Sequence, residues 1–564
     1  MKRALLASLS ALLVAMPAAP QQRPSKQWLR LTGANFEIFT TGSERDGRDL
    51  MKVFEQIRGF FERASPVPLL EQFPVRIIAF GSPEEFRPYS PHALASAYAT
   101  SNRRTDYIVM QDATPQSYGL AVHEYMHLLV NHSGLRLPLW LNEGWADVYS
   151  TLRPVRDGVA VGDLIPERMQ TLETQKWLGF DELTSVTKDS PNYSEANRVG
   201  IFYAESWALA HMLFLSPEYG PGFPKFLIAL HRGSTADEAA RTAWGRSPDQ
   251  ISQDLRNYFG RKKLYGRIFE APMGKSERGL ALAKLDSFDS RLMLADLKTA
   301  IGRMTEARSD YEALAKERPD SPEVTVSMGY LDWGEHNLTA TREEFEKAFA
   351  AGDDDPRMCF ELGSLERAAH EPEKAIAAFE RALHTRPDYA DALLQLGLMR
   401  VAVGQYSGAI EALKSIPRVS PTHATPLFSA LAYSYFETGD LDKARSDALT
   451  AKKWAVDPKE TNGVDSLLTL IDARARSRFA PHPGEKTERI EGLLQAVDCS
   501  QGHTRLVVQS GQGSRAFELP EANAVEFTHS TGGGGLQLTC GPQNPIHLAV
   551  GYATETGVVR RLEF

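Results

Sequence analysis

Cysteine is nearly missing from this sequence: there are three in 564 residues, too few for disulfides to serve as a general scaffold. Long basic runs are missing too, and the net charge is −9, so the chain carries no footprint for nucleic acid. Beyond the first 20 residues no apolar stretch approaches the length that crosses a bilayer, and no membrane span is expected. What is present is 42% hydrophobic residues spread over a long chain, enough for several ordinary domains rather than one core.

The opening stretch, MKRALLASLSALLVAMPAAP, sets Lys2 and Arg3 before an apolar block from Ala4 to Met16 and small residues at Ala18 and Ala19. That order reads as a secretory signal peptide over residues 1–19, so the protein is expected to be exported, periplasmic or secreted. No cysteine lies near the cut, which argues against a lipid anchor. Cys499 and Cys540 share the C-terminal segment and are candidates to pair, which would contribute about 4 kcal/mol in a chain-entropy account. Cys359 falls on an apolar helix face and reads as packing.

Residues 28–270 mix both periods. WLRLTGANFEIFTT, VRIIAFGS and TDYIVMQD read as strands, and DLMKVFEQIRGFFERA as an amphipathic helix. Helices dominate from about Gly162 to Tyr265. A repeat follows over 288–480: Gly329, Gly363 and Gly397 are 34 apart, as are Phe345, Phe379 and Leu413, and Pro387 and Pro421. This is the pattern of the tetratricopeptide repeat, with units at 288–321, 322–355, 356–389, 390–423 and about 425–458, and a capping helix after them. The small residue lets helices approach, the aromatic fills the gap to the next unit, and the proline ends the second helix. Unit 322–355 is degenerate, with Thr341 where alanine belongs. After a linker rich in charge and proline, residues 490–564 break into short alternating runs, as in a small all-β sandwich or barrel.

Chemistry concentrates in AVHEYMHLLVNHSG. His123 and His127 are four apart and share a helix face, where two imidazoles can hold one metal, with Glu124 beside them as general base. Zinc catalysis needs a third protein ligand and an open position. The longer HExxHxxGxxH pattern is not met: Val130 stands in place of glycine, Ser133 in place of histidine, and His132 is one residue out of frame. In PLWLNEGWADVYS, Glu143 and Asp147 are four apart on one face of a second helix. One carboxylate can ligate the metal, and the other can accept the free ring N–H of a ligand histidine.

HEYMH followed by NEGWAD resembles the HExxH and NExxxD pair of the gluzincins, the thermolysin-like clan of zinc metallopeptidases, and is most similar to bacterial peptidase MA-like proteins that carry tetratricopeptide repeats. The resemblance covers about residues 28–265 and implies an α+β zincin-like domain. It also implies Zn2+ held by His123, His127 and Glu143, Glu124 as general base, and Asp147 orienting His123. It implies further a tyrosine donating to the oxyanion, for which Tyr203 stands in a suitable helix, although Tyr203 and Trp207 also form an apolar stripe that packing alone explains. His211, on the same apolar face, reads as structural, and Trp140, Trp145 and Tyr149 read as packing. The Gly-x-Met-Glu-Asn strand of aminopeptidases is missing; upstream stands only SNRRTDYIVMQDA, whose TDYIVMQD strand is a candidate to pair with an extended peptide.

The resulting expectation is a multidomain chain: a zincin-like α+β domain, an all-α tetratricopeptide repeat solenoid and a small all-β domain. Its function would be metal-assisted hydrolysis of a peptide or protein substrate, with a protein partner on the repeats. The alternative is a periplasmic repeat scaffold whose metallopeptidase domain is weakly active or inactive.

Overall fold

A computed structural model describes residues 26–564 except 65–73, 92–94, 134, 136, 156–157, 192, 194–199, 261–263, 271–279, 418, 478–483, 501–502, 521–523 and 529–537. The leader at 1–19 lies outside the described residues. The chain divides into two compact units, 1–353 and 354–564.

In the first unit the order is β1 (Leu29–Thr32), β2 (Phe36–Thr40), α1 (Glu44–Ala64), β3 (Val75–Ala79), α2 (Pro83–Phe86), β4 (Ala97–Ser101), β5 (Asp106–Met110), α3 (Tyr118–Ser133) and α4 (Leu139–Ser150). Then come β6 (Arg153–Val155), β7 (Gly158–Val161), α5 (Pro166–Thr174), α6 (Phe180–Ser185), α7 (Ile201–Leu215), α8 (Phe223–His231), α9 (Ala236–Trp244), α10 (Pro248–Gly260), β8 (Arg267–Glu270) and β9 (Ala281–Lys284). The main sheet runs β4-β5-β3-β2-β1-β9, with β3 parallel to both β2 and β5, and β4 antiparallel to β5. Because β9 pairs with β1, the sheet extends past residue 270, where the sequence placed its domain edge.

Both faces of this sheet are covered. Ile38, Ile77 and Ile108 pack with Leu50, Phe54 and Ile57 of α1 on one face. Phe39, Ile78, Tyr98 and Val109 pack on the other with Met293 and Leu297 of α11 (Ser287–Ala300). That double burial is why β5 reads as an unbroken apolar run and is buried at every position. It also corrects the expectation that TDYIVMQD pairs with a peptide: β5 is flanked by β4 and β3, and the outer strand is β4.

The repeats are helix pairs. The first unit holds α11 with α12 (Met304–Glu317) and α13 (Pro322–Gly334) with α14 (Leu338–Ala350). The second holds α15 (Pro356–Ala368) with α16 (Pro372–Thr385), α17 (Ala390–Ala402) with α18 (Tyr406–Lys414), and α19 (Pro421–Thr438) with α20 (Leu441–Trp454), followed by α21 (Pro458–Ser477). Cys359 is buried within α15. A Cβ added to Gly363 would stand 2.6 Å from the Phe379 ring, and one on Gly397 2.5 Å from Leu413. The large side chain therefore fills against the glycine of its own unit, where the two helices of one pair cross, and also packs on the next unit as expected: Phe379 clusters with Leu396 and Met399 of α17, and Leu413 with Leu427 and Leu431 of α19. The turn between paired helices repeats too: Gly302, His336, His370 and Gly404, 34 apart, all take φ between 61° and 78°. Pro421 does not end a helix as its spacing suggested; α18 stops at Lys414, and Pro421 opens α19, where a missing N–H costs nothing.

The C-terminal strands β10 (Thr487–Asp498), β11 (Arg505–Ser510), β12 (Gly513–Glu518), β13 (Glu526–Thr528), β14 (Gly541–Ala553) and β15 (Val559–Glu563) form one sheet in the order β12-β11-β10-β14-β15-β13. Glu518 at the end of β12 bridges Val558 just before β15, so the sheet curls back on itself in barrel fashion around Leu494, Phe517, Val550 and Leu562. Cys499 and Cys540 are joined in a disulfide that ties the end of β10 to the start of β14. Of the expected run LQLTCG, Leu538 to Cys540 form no strand; its first residues, and most of THSTGGGGLQ, lie outside the described positions.

Candidate metal centre

α3 is buried nearly all round, which fixes its rotation and sends His123 and His127 to one side. α4 crosses it, and α4 in turn packs on α7 with almost no space between backbones. A Cβ on Gly144 would lie 2.1 Å from the Ser206 carbonyl oxygen of α7, so only glycine fits in the middle of NEGWAD. Glu143 and Asp147 flank that contact and are both buried.

The structure brings His123, His127 and Glu143 together. Their Nε2 atoms are 3.1 Å apart, and a Glu143 carboxylate oxygen stands 3.5 Å from His123 Nε2 and 3.7 Å from His127 Nε2. Two imidazoles and a carboxylate are a zinc donor set, and bonds of about 2.1 Å in a tetrahedron give donor separations of about 3.4 Å, so the spacing fits. It is the one His/Cys/Asp/Glu cluster of metal-site dimensions among the described residues.

Asp147 Oδ1 accepts from His123 Nδ1 at 3.0 Å, which leaves Nε2 facing the cluster. The other carboxylate oxygen of Asp147 accepts from Arg168 Nε of α5 at 2.7 Å. Burial works to raise the Asp147 carboxyl pKa, but the Arg168 guanidinium and the His123 hydrogen bond bring it down to about 2. For His123, burial works to lower the pKa, and the bonds to Asp147 and Glu143 outweigh it, pushing it up to about 9. A metal held at this cluster would have to displace that proton.

Glu124 is buried beside the cluster, and its Oε2 accepts from the Ala99 N–H of β4 at 3.0 Å. The ladder bonds from Asn102 to Thr105 and from Gln111 to Ser96 show that even-numbered positions of β4 face β5, so Ala97, Ala99 and Ser101 turn their backbone groups to the outer edge. Glu124 thus sits on the edge of the outer strand.

Tyr203 is buried on α7, its ring stacked on Tyr193 and 5.4 Å from the Arg168 guanidinium, which connects it to His123 through Arg168 and Asp147. His132 is not brought to the cluster; its Nε2 is 2.8 Å from Asp106 Oδ2 on β5. His211 is also elsewhere, its ring nitrogens 3.1 Å from the Tyr258 hydroxyl and 3.2 Å from the Gly162 carbonyl. Trp145 packs on Phe214 and Phe223, and Trp140 on Phe226. Sequence reasoning missed Arg168 and Ala99. Arg168 is one arginine in a short helix, and Ala99 acts through its backbone, so neither carried a motif.

The tetratricopeptide repeat family matches residues 289–321 and 366–427, and those segments are tetratricopeptide repeats. No curated protein matches the sequence significantly. Among solved structures, YrrB, described as a TPR protein with an unusual peptide-binding site, is 17% identical, covers 32% of this chain and 98% of its own, and has a TM-score of 0.29. MamA is 21% identical over 30% of this chain and 98% of its own, with a TM-score of 0.25. Pseudomonas aeruginosa PilF is 15% identical over 34% of this chain and 90% of its own, also at 0.25. Among the described residues no helix is long and apolar enough to cross a membrane.

Proposed function

We propose that this chain is a zinc-dependent peptidase of gluzincin type, with a zincin-like α+β domain and repeats that bind a protein or peptide. The single observation that carries the reading is the convergence of two helix-borne imidazoles and a carboxylate from a second helix, with Glu124 alongside. Zinc held by His123, His127 and Glu143 would supply a water acidic enough to attack at neutral pH and a positive charge for the carbonyl oxygen.

The chain's own residues do the rest. Glu124 accepts the proton of the attacking water and passes it to the departing amine. Asp147, kept ionised by Arg168, holds the Nδ1 proton of His123 and fixes the ring. The outer edge of β4, at the Ala97 and Ser101 backbone groups on either side of the Ala99 N–H that Glu124 holds, would take an extended substrate as an added strand. Tyr203 is the candidate hydrogen-bond donor to the oxyanion. The leader read in the sequence fits an exported protein, periplasmic or secreted.

The second reading is a repeat scaffold in which the α+β domain is weakly active or inactive. The family matches fall on the repeats alone and favour it more than they favour the peptidase. Cleavage profiling of a proteome-derived peptide mixture separates the two, using the full chain because β9 belongs to the sheet. The peptidase reading predicts chelator-sensitive cleavage by the native chain that Glu124→Gln abolishes while zinc stays bound. Cleavage that survives in Glu124→Gln removes Glu124 from its role; no cleavage by the native chain leaves the scaffold.

A further inference from the structure

The turn joining β4 to β5 carries two adjacent arginines, and both are docked on the first helices of the first two repeats. Arg104 Nη1 donates to Ser327 Oγ of α13 at 3.0 Å and lies 3.5 Å from Asp296 Oδ2 of α11, with its guanidinium 5.6 Å from the Tyr330 ring centre. Arg103 lies over the Trp333 ring at 4.4 Å. Asp296 is itself set by a hydrogen bond from Tyr311 at 2.8 Å and by Arg76 at 3.6 Å. One residue from the site, Thr100 Oγ1 donates to the Ala300 carbonyl at the end of α11 at 2.9 Å. The next position, Ala99, gives its N–H to Glu124. At the far end of the turn Asp106 receives Ser101 Oγ at 2.6 Å and faces His132 at the end of α3 at 2.8 Å.

We propose that the first two repeats are a brace for the site: through Arg103, Arg104 and Thr100 they fix the edge strand β4, and through the Ala99 N–H they fix the Glu124 carboxylate. This rests on the peptidase reading and deepens it, with Arg104 as a positioning residue rather than a catalytic one. Asp296 lies on α11 and Ser327, Tyr330 and Trp333 on α13, the first helices of their repeats, and together they form the surface that meets the turn. In these two units that surface is filled from within by the chain's own Arg103-Arg104 turn. A partner that bound these residues of α11 and α13 would have to displace the turn. Displacement would loosen β4 and with it Glu124, since a shift of the order of 1 Å in a reacting group can cost about a hundredfold in rate.

The test uses the full zinc-loaded chain with Arg104→Ala and, should that variant fold poorly, the near-isosteric Thr100→Val. Hydrogen–deuterium exchange is followed over residues 97–101, and kcat and KM are measured on any peptide the native chain cleaves. The brace predicts about tenfold faster exchange at Ala99 with zinc content unchanged, and a fall in kcat of about tenfold with KM within about twofold. Unchanged exchange at Ala99 in both variants overturns the proposal, and so does unchanged kcat. If the native chain cleaves nothing, the peptidase reading fails separately, and exchange alone decides whether the repeats hold β4.

Discussion

The α4–α7 crossing and the repeat helix pairs both rely on glycine, but what each glycine faces differs. Gly144 faces a backbone carbonyl, Ser206 O, at 2.1 Å from where a Cβ would be, and a carbonyl inside a buried helix cannot step aside. Gly363 faces the Phe379 ring at 2.6 Å, and a ring can turn on its own bonds. The first contact sets the position of a whole helix and therefore of Glu143 and Asp147; the second sets one side chain, Phe379, which packs on Leu396 and Met399 of the next unit. Close packing in the α+β domain therefore serves the site, while in the repeats it serves a module that recurs.

The largest effect expected is from Gly144→Ala, which should destabilise the first unit by about 3 kcal/mol or more and abolish zinc retention, read by thermal unfolding and metal content. Next is pH. Burial depresses His211 on α7 to about 4, so the folded chain binds that proton more weakly than the unfolded one. The His211 contribution to stability is then full above about pH 6.5 and drains by up to about 3 kcal/mol as pH falls to 4; His211→Gln should flatten that part of the slope in pH-dependent denaturation curves. Asp147→Asn, which keeps an oxygen acceptor for His123 or Arg168, should weaken zinc binding by about 10–100-fold in a competition titration.

Gly363→Ala should cost about 1–2 kcal/mol by urea denaturation and leave zinc binding alone, partly offset by alanine's better helix propensity. A cost equal to that of Gly144→Ala would erase the contrast between backbone and side-chain contacts. Smallest are His336→Gly and His370→Gly, at turn positions with φ of 63° and 61°, where relief of left-handed strain should raise stability by less than about 1 kcal/mol each.

The same contrast explains what the sequence could disclose. The repeats are legible because their contacts lie within 34 residues and recur, so Gly363 and Phe379 announce each other. HEYMH and NEGWAD are legible because each pair of side chains shares one helix face. Arg168 is not, since it meets Asp147 from a separate helix 21 residues later with no periodic partner. Nor is β4: its Ala97, Ala99 and Ser101 carry little strand signal, and the strand is defined by pairing with β5 and by what its edge touches. The docking of Arg103 and Arg104 on α11 and α13 spans roughly 190 to 230 residues of sequence and leaves no local trace.

Every role proposed for the site requires His123, His127 and Glu143 to hold one metal. Titrating the metal-free full chain with zinc by calorimetry, alongside Glu143→Ala, tests this directly. One zinc per native chain with proton release is expected, and affinity lost by more than about a hundredfold in the variant. Equal affinity in the two proteins, or no binding by the native chain, would contradict it.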